Sequence, residues 1–480
     1  MSLLTHVDER ILAMRAVVVL MLSILCVSTP ATKAEEDEGI VFPRIGKIAP
    51  RDAKEIAGSN WSVGAETMDR DFTIYDNWKE HLGPLGVKKA RIQAGWAKTE
   101  REKGVYDFAW LDQVVFDMPK RGVTPWMCLS YGNPIYEGGG EAKLMGGVPV
   151  AAEALEAWVK WVEANVERYK DVICEWEVWN EPNYRVAPGD YARLVIRTAE
   201  TIRSIQPRAT ILAMSLGSGV DYKYADKVLA VLAEQDKLHL VDQVTHHRHQ
   251  KNPDPNEPEI ELEKVVRKYS DRIVIRQGEA GCPSEWCETR AMNRYPWTEL
   301  IQAKHVLRRL LADLGRDKPS SVFGIIDMKY PDEMNRKGLL RARDDRTVEY
   351  PKPAYFAVQY LASVFDDRLT RIVDYPVEIG HADLPLSVYG YEHKGSGGQI
   401  VTVWFHDQIP SNENAKTPVD FVFSRGRFTQ PVYVDLRTGA VYEIPPTHWE
   451  HEGDVHRFKA IPCYDSPILV ADKQTLFVTP

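Results

Sequence analysis

The stretch Trp176-Glu177-Val178-Trp179-Asn180-Glu181-Pro182-Asn183 decides the reading of the fold. An apolar and aromatic lead-in over 171–179 runs into Asn-Glu-Pro-Asn. Proline has no N–H to give a β-ladder, so a strand must stop there, with Glu181 at its C-terminal tip. A second strand-like run, Arg272-Ile273-Val274-Ile275-Arg276-Gln277, leads in the same way to Gly278-Glu279-Ala280-Gly281. Roughly a hundred residues separate the two acids, room for two βα units and one more strand of an eight-unit barrel. This spacing places Glu181 on the fourth strand and Glu279 on the seventh, facing each other across the barrel mouth. Parallel barrels carry their active sites at that end.

The remaining pattern agrees. Strand-like segments at 59–64, 88–92, 124–130, 172–179, 210–215, 241–246, 273–277 and 322–327 alternate with amphipathic helices, as a parallel α/β fold requires. After Pro351-Lys352-Pro353 and a last helix over 354–365, apolar and polar residues alternate at period two, as in Gln399-Ile400-Val401-Thr402-Val403-Trp404-Phe405. Residues 432–442 read as a hairpin turning at Gly439. The expectation is a (β/α)8 TIM barrel over 59–368 and a C-terminal antiparallel β-sandwich over 369–480, with 35–58 as a lead-in.

Residues 1–34 have the form of a signal peptide. Arg10 and Arg15 precede an apolar run over 16–27, followed by small residues to Ala34 and then Glu35-Glu36-Asp37-Glu38. About a dozen apolar residues suit a signal core and fall short of a bilayer span. The mature chain is therefore expected to be secreted or periplasmic, without a membrane span. A net charge of −9 gives no basic footprint for nucleic acid. The thirteen Trp residues can pack a core and can also stack on sugar rings. Nothing in the sequence fixes the oligomeric state.

Two strand-tip carboxylates can cleave a glycosidic bond, one protonating the leaving oxygen and the other attacking the anomeric carbon. An ionised Glu279 needs a cation beside it. Arg91, at the tip of the second strand, is one candidate. Arg276 is another, although strand alternation turns it to the face opposite Glu279. His246-His247-Arg248-His249 also reads as a candidate metal site, but His247 and His249 share one side without a recognisable third ligand. Hydrogen bonding to substrate and nucleophile is the favoured reading, with no metal and no cofactor expected. His247, Arg248 and His249, together with Lys329 at the eighth strand tip, would make the mouth positive if they point inward. Cys282 and Cys287 flank a short loop after Glu279, and would stiffen it if paired.

With Glu177-Val178-Trp179-Asn180-Glu181-Pro182-Asn183 and Gly278-Glu279-Ala280-Gly281, the chain resembles clan A retaining glycoside hydrolases, most of all family 39, which includes β-xylosidases and α-L-iduronidases. The resemblance covers 59–365 and reaches the sandwich more loosely. It implies that Glu181 is the acid/base, Glu279 the nucleophile and Asn180 the residue binding the sugar 2-hydroxyl. Arg91 matches the arginine that the clan keeps near its nucleophile. Tyr131 falls where third-strand residues line the sugar site. The chain departs from the pattern twice. His247-Arg248-His249 stands where His-x-Tyr is usual, and Asp327-Met328-Lys329-Tyr330 stands where a Trp is common, leaving Tyr330 to face the sugar. The substrate expected is an oligo- or polysaccharide with β-linkages. An endo-acting glycanase and a non-catalytic carbohydrate-binding barrel are the alternatives.

Overall fold

The computed structural model describes residues 39–480 apart from 218 and 381–384. The export signal read at 1–34 lies outside the described residues. Residues Phe42–Pro480 form one compact unit. No helix among the described residues is long and apolar enough to cross a membrane.

After the first strand (β1, Arg44–Ile48), eight parallel strands close a barrel. They are β2 (Trp61–Gly64), β3 (Lys89–Gln93), β4 (Thr124–Leu129), β5 (Glu175–Val178), β6 (Thr210–Leu216), β7 (Gln243–His247), β8 (Val274–Ala280) and β9 (Ser320–Val322). The periodic stripes form the covering helices. Ala152–Tyr169 buries Leu155, Trp158, Trp161, Val162 and Val166, and Pro188–Ile205 buries Tyr191, Leu194, Val195 and Ile202.

β9 is shorter than the sequence implies. After Val322 the chain leaves the barrel and folds into a hairpin of β10 (Met328–Lys329) and β11 (Met334–Asn335). Asp327 is thereby drawn beneath the mouth, where Lys352 Nζ donates to it at 2.7 Å and both side chains are fully buried. A buried ion pair offsets the large desolvation cost of each ion, and here it displaces the expected strand end.

The strands that follow the last helix, together with β1, form two antiparallel sheets, of eight and four strands. The expected hairpin is present, with Tyr433 opposite Tyr442 and Gly439 at φ +73° in the turn. β1 lies in the larger sheet between Ala440–Glu443 and Val478–Thr479, so the lead-in segment is built into the sandwich.

A buried polar cluster fastens the sandwich to the barrel. Arg308, on the helix Glu299–Leu314, donates through Nε to Asp254 Oδ2 at 2.9 Å and through Nη2 to the Gln408 carbonyl at 2.9 Å. Trp404 Nε1, from the strand Gln399–Phe405, donates to the other Asp254 oxygen at 2.6 Å. Arg308→Met leaves Asp254 buried without its cation, and should lower stability by about 3–5 kcal/mol. Denaturant unfolding measures this, and a loss below 1 kcal/mol would show that the cluster does not hold the two parts together.

Candidate active site

The site is organised around one guanidinium. Arg91 projects inward from β3 and is fully buried. Its Nε donates to Glu177 Oε2 at 2.7 Å, and its Nη2 to the same oxygen at 2.5 Å. Nη1 reaches Glu279 Oε1 at 2.5 Å and Glu66 Oε1 at 2.9 Å. Nη2 also donates to Asn180 Oδ1 at 2.8 Å and Ser215 Oγ at 3.1 Å. A planar fork of five N–H donors can satisfy such a ring of acceptors, whereas an ammonium cannot.

Three carboxylates around one guanidinium leave surplus negative charge, and the structure divides it unequally. Burial acts most strongly on Glu66 and, with the charge of Glu279, raises its pKa well above the usual range despite Arg91. For Glu279 burial also works upward, but the charges of His247 and Arg91 and a hydrogen bond from His249 outweigh it. Its pKa is held far below the carboxylate norm. Burial thus favours the neutral form of Glu66, whereas its neighbours favour the ionised form of Glu279.

β5 ends at Val178, and the next residues break strand alternation. Trp179 and Glu181 have φ of 68° and 50°, left-handed values rare outside glycine. Alternation would send Asn180 and Glu181 to opposite faces. The kinked backbone instead turns both toward the same cavity. Asn180 is fixed at both ends, since its Nδ2 donates to the Tyr131 hydroxyl at 2.9 Å. Gly217 makes room for the neighbouring acid, because a Cβ there would stand 2.7 Å from Glu181 Oε1.

Opposite, β7 delivers His247 between the two acids. Its Nδ1 is 3.1 Å from Glu181 Oε1 and 3.4 Å from Glu279 Oε1, while Nε2 is 2.9 Å from Ser215 Oγ. His249 Nδ1 meets the Gly281 carbonyl at 3.0 Å and Nε2 lies 3.7 Å from Glu279 Oε2. The pairing of β7 with β8 shifts register, with His246 opposite Gln277 and His247 opposite Glu279. This bulge corrects the expectation for Arg276. One extra residue turns Arg276 to the inward face, shared with Glu279, where it pairs with Glu175 at 3.0 Å and lies over Trp126. Gly278 sits in the bulge, and a Cβ there would crowd His247 at 3.2 Å.

Glu181, His247 and Glu279 also offer ligand atoms all within 4.8 Å of one another, a set able to hold a metal ion. The sequence reading found no further ligand beside the histidines, because both acids come from other strands.

A cavity of about 450 Å³ opens above these groups, within the size range of small-molecule sites. Gln93, His247 and Glu279 line it from barrel strands, and Glu66, Arg70, Tyr131, Glu181, Gly219 and Tyr330 from the segments that follow the other strands. Tyr330 packs against Phe72 with ring centroids 4.7 Å apart. Arg248 and Lys329 do not enter the cavity. Arg248 bonds Glu259 at 2.8 Å and Gln250, and Lys329 pairs with Asp344 at 2.8 Å. Cys282 and Cys287 are separate thiols. Glu66, Glu177, Arg70, Arg290 and Lys337 were not singled out from sequence. Glu66, two residues past a strand end, obeys the same tip rule that marked Glu181.

No protein-family model and no curated protein sequence matches the chain. Solved structures do match. A family 39 glycoside hydrolase from the gut symbiont Bacteroides cellulosilyticus superposes with a TM-score of 0.64 at 19% identity, over 89% of this chain and 83% of that one. A monomeric β-xylosidase from Caulobacter crescentus gives 0.58 at 14% identity, over 89% and 97%. A family 30 xylanase from Clostridium acetobutylicum gives 0.54 at 12% identity, over 89% and 97%. The fold is that of clan A glycoside hydrolases, most like family 39.

Glu66 gives a test of the charge division. An acid with a raised folded pKa contributes stability that is fully present below its unfolded value, near 4.5, and is lost as pH rises through the folded value. Glu66→Gln keeps the shape and removes that loss. Against the parent, its melting temperature should improve progressively from about pH 4.5 upward. A variant whose melting temperature instead falls further below the parent's as pH rises above about 4.5 would mean that Glu66 is an ordinary ionised partner of Arg91.

Proposed function

We propose that the protein is an exported retaining glycosidase that cleaves β-linked glycosides by double displacement. The observation that carries this reading is the closeness of the two acids. One oxygen of Glu181 and one of Glu279 lie within 4.8 Å. Retaining enzymes hold their carboxyls about 5–5.5 Å apart, whereas inverting enzymes leave about 6.5–9.5 Å for a water. Export is read from the form of residues 1–34.

In this mechanism Glu279 attacks the anomeric carbon while Glu181 gives its proton to the departing oxygen, leaving a glycosyl ester on Glu279. Glu181 then takes a proton from water, which attacks the same carbon and releases the sugar with its configuration retained. Arg91, His247 and His249 keep the nucleophile ionised. Asn180, clamped between Arg91 and Tyr131, is aimed at the 2-hydroxyl, where a hydrogen bond strengthens in the transition state.

Glu279→Gln should abolish turnover of every substrate. Glu181→Ala should spare aryl glycosides whose leaving group needs no proton, and azide should then yield a β-glycosyl azide. Comparable losses for good and poor leaving groups would remove Glu181 from the acid/base role. Chelation should leave turnover unchanged, and a loss restored by a divalent cation would reassign Glu181, His247 and Glu279 as ligands. Gly217→Ala should lower kcat by on the order of 10²-fold through displacement of Glu181. An unaltered kcat in a folded Gly217→Ala variant would mean that the acid's placement tolerates the extra methyl.

A further inference from the structure

Among the cations that line the cavity, all but one are engaged by the protein. Arg70 donates to Gln93 at 2.6 Å and pairs with Asp69 at 3.2 Å. Arg290 is held by Asp332 and Glu333, each at 2.8 Å. The histidines face Glu181 and Glu279. Lys337 differs. It is 3% exposed, lines the cavity, and its ammonium makes no hydrogen bond or ion pair with any described residue.

Its backbone, by contrast, is firmly mounted. Gln302 Nε2 donates to the Lys337 carbonyl at 3.2 Å and to that of Gly338 at 3.3 Å. The buried Lys352 ammonium donates to the Gly338 carbonyl at 2.8 Å, and Gly338 N–H donates to Asp327 at 3.0 Å. A long, flexible side chain is thus carried on a fixed base beneath the mouth.

An ammonium removed from water without an anion is costly. Burial accordingly lowers the Lys337 pKa, partly opposed by the fields of Cys287 and Glu279. The lysine is not needed to neutralise Glu279, which already has Arg91 at 2.5 Å and His247 at 3.4 Å.

We propose that Lys337 is a specificity-determining residue that receives an acidic substituent, carboxylate or sulfate ester, on the sugar bound in this cavity. The inference rests on the glycosidase reading and narrows its substrate class to acidic sugars. A charge-assisted bond to such a group supplies the missing anion.

The test compares matched aryl β-glycosides in gluco, galacto and manno configurations. Each is offered as the neutral sugar, the uronide and the 6-sulfate, to the wild type, Lys337→Met and Lys337→Arg. In at least one configuration the acidic form should exceed its neutral counterpart in kcat/KM by tenfold or more. That ratio should collapse toward one in Lys337→Met and recover in part in Lys337→Arg. The uronide and sulfate arms tell which acid is meant. Neutral sugars preferred throughout, or a ratio untouched by Lys337→Met, would overturn the inference and leave the glycosidase reading intact. Failure to cleave any glycoside, acidic or neutral, would instead overturn the glycosidase reading. Calorimetric titration of the Glu279→Gln protein with free uronic acids and their neutral parents measures the lysine's role without turnover. Tighter uronic acid binding that vanishes with Lys337→Met supports it, and equal binding refutes it.

Discussion

The arrangement of the barrel mouth depends on burying one guanidinium among three carboxylates. Arg91 cannot lose its proton, so its neighbours must adjust to it. Glu177 gives it a two-point hold from below, and Thr245 Oγ1 donates to the other Glu177 oxygen at 2.5 Å. Glu66 and Glu279 share its remaining edge, and their titration belongs to the pair. Beneath this layer lies another of the same kind, with Arg276 and Lys89 on either side of Glu175. Trp126 lies flat between the layers and meets both guanidinium groups. Barrel interiors are usually filled by branched aliphatic side chains. This one is ionic through two layers, which ties the geometry of the acids to the closure of the barrel itself.

The eight strands and the positions of both acids were legible because they rest on local signals, namely apolar runs, a proline that ends a ladder and an acid at a strand tip. The faces of individual side chains were less so, because period-two counting assumes an unbroken strand. It held for His247 and His249. It failed at Arg276, where the bulge at Gly278 adds a residue, and at Trp179–Glu181, where left-handed backbone brings consecutive residues to one cavity. The eighth strand was misjudged for a different reason. Lys352, distant in sequence, pulls Asp327 into an ion pair that no local pattern announces.

Charge followed the same division. Arg248 and Lys329 looked like cavity cations from their place after strands, yet each is claimed by an acid on its own side of the rim. Lys337, in Asn335-Arg336-Lys337-Gly338, carries no motif and is placed by the hairpin after β9. The departures from the family pattern are also resolved in space. Where the resemblance led to a phenol beside Glu279, an imidazole stands, and a second imidazole bridges both acids. Glu279 therefore lies between imidazole nitrogens on one side and the Arg91 fork on the other, while Glu181 meets only His247 of these groups.

The position of β1 has a consequence for how the chain reaches this state. Its partners are Ala440–Glu443 and Val478–Thr479, which follow the whole barrel sequence. The strand must wait, unpaired, while the entire barrel sequence emerges between it and its neighbours. Contacts of such sequence separation form late, since the loop between them must close first. The larger sheet of the sandwich can thus be completed only once Val478–Thr479 is available to pair. Its closure joins the two ends of the folded unit, so that the barrel is enclosed within a single topological loop.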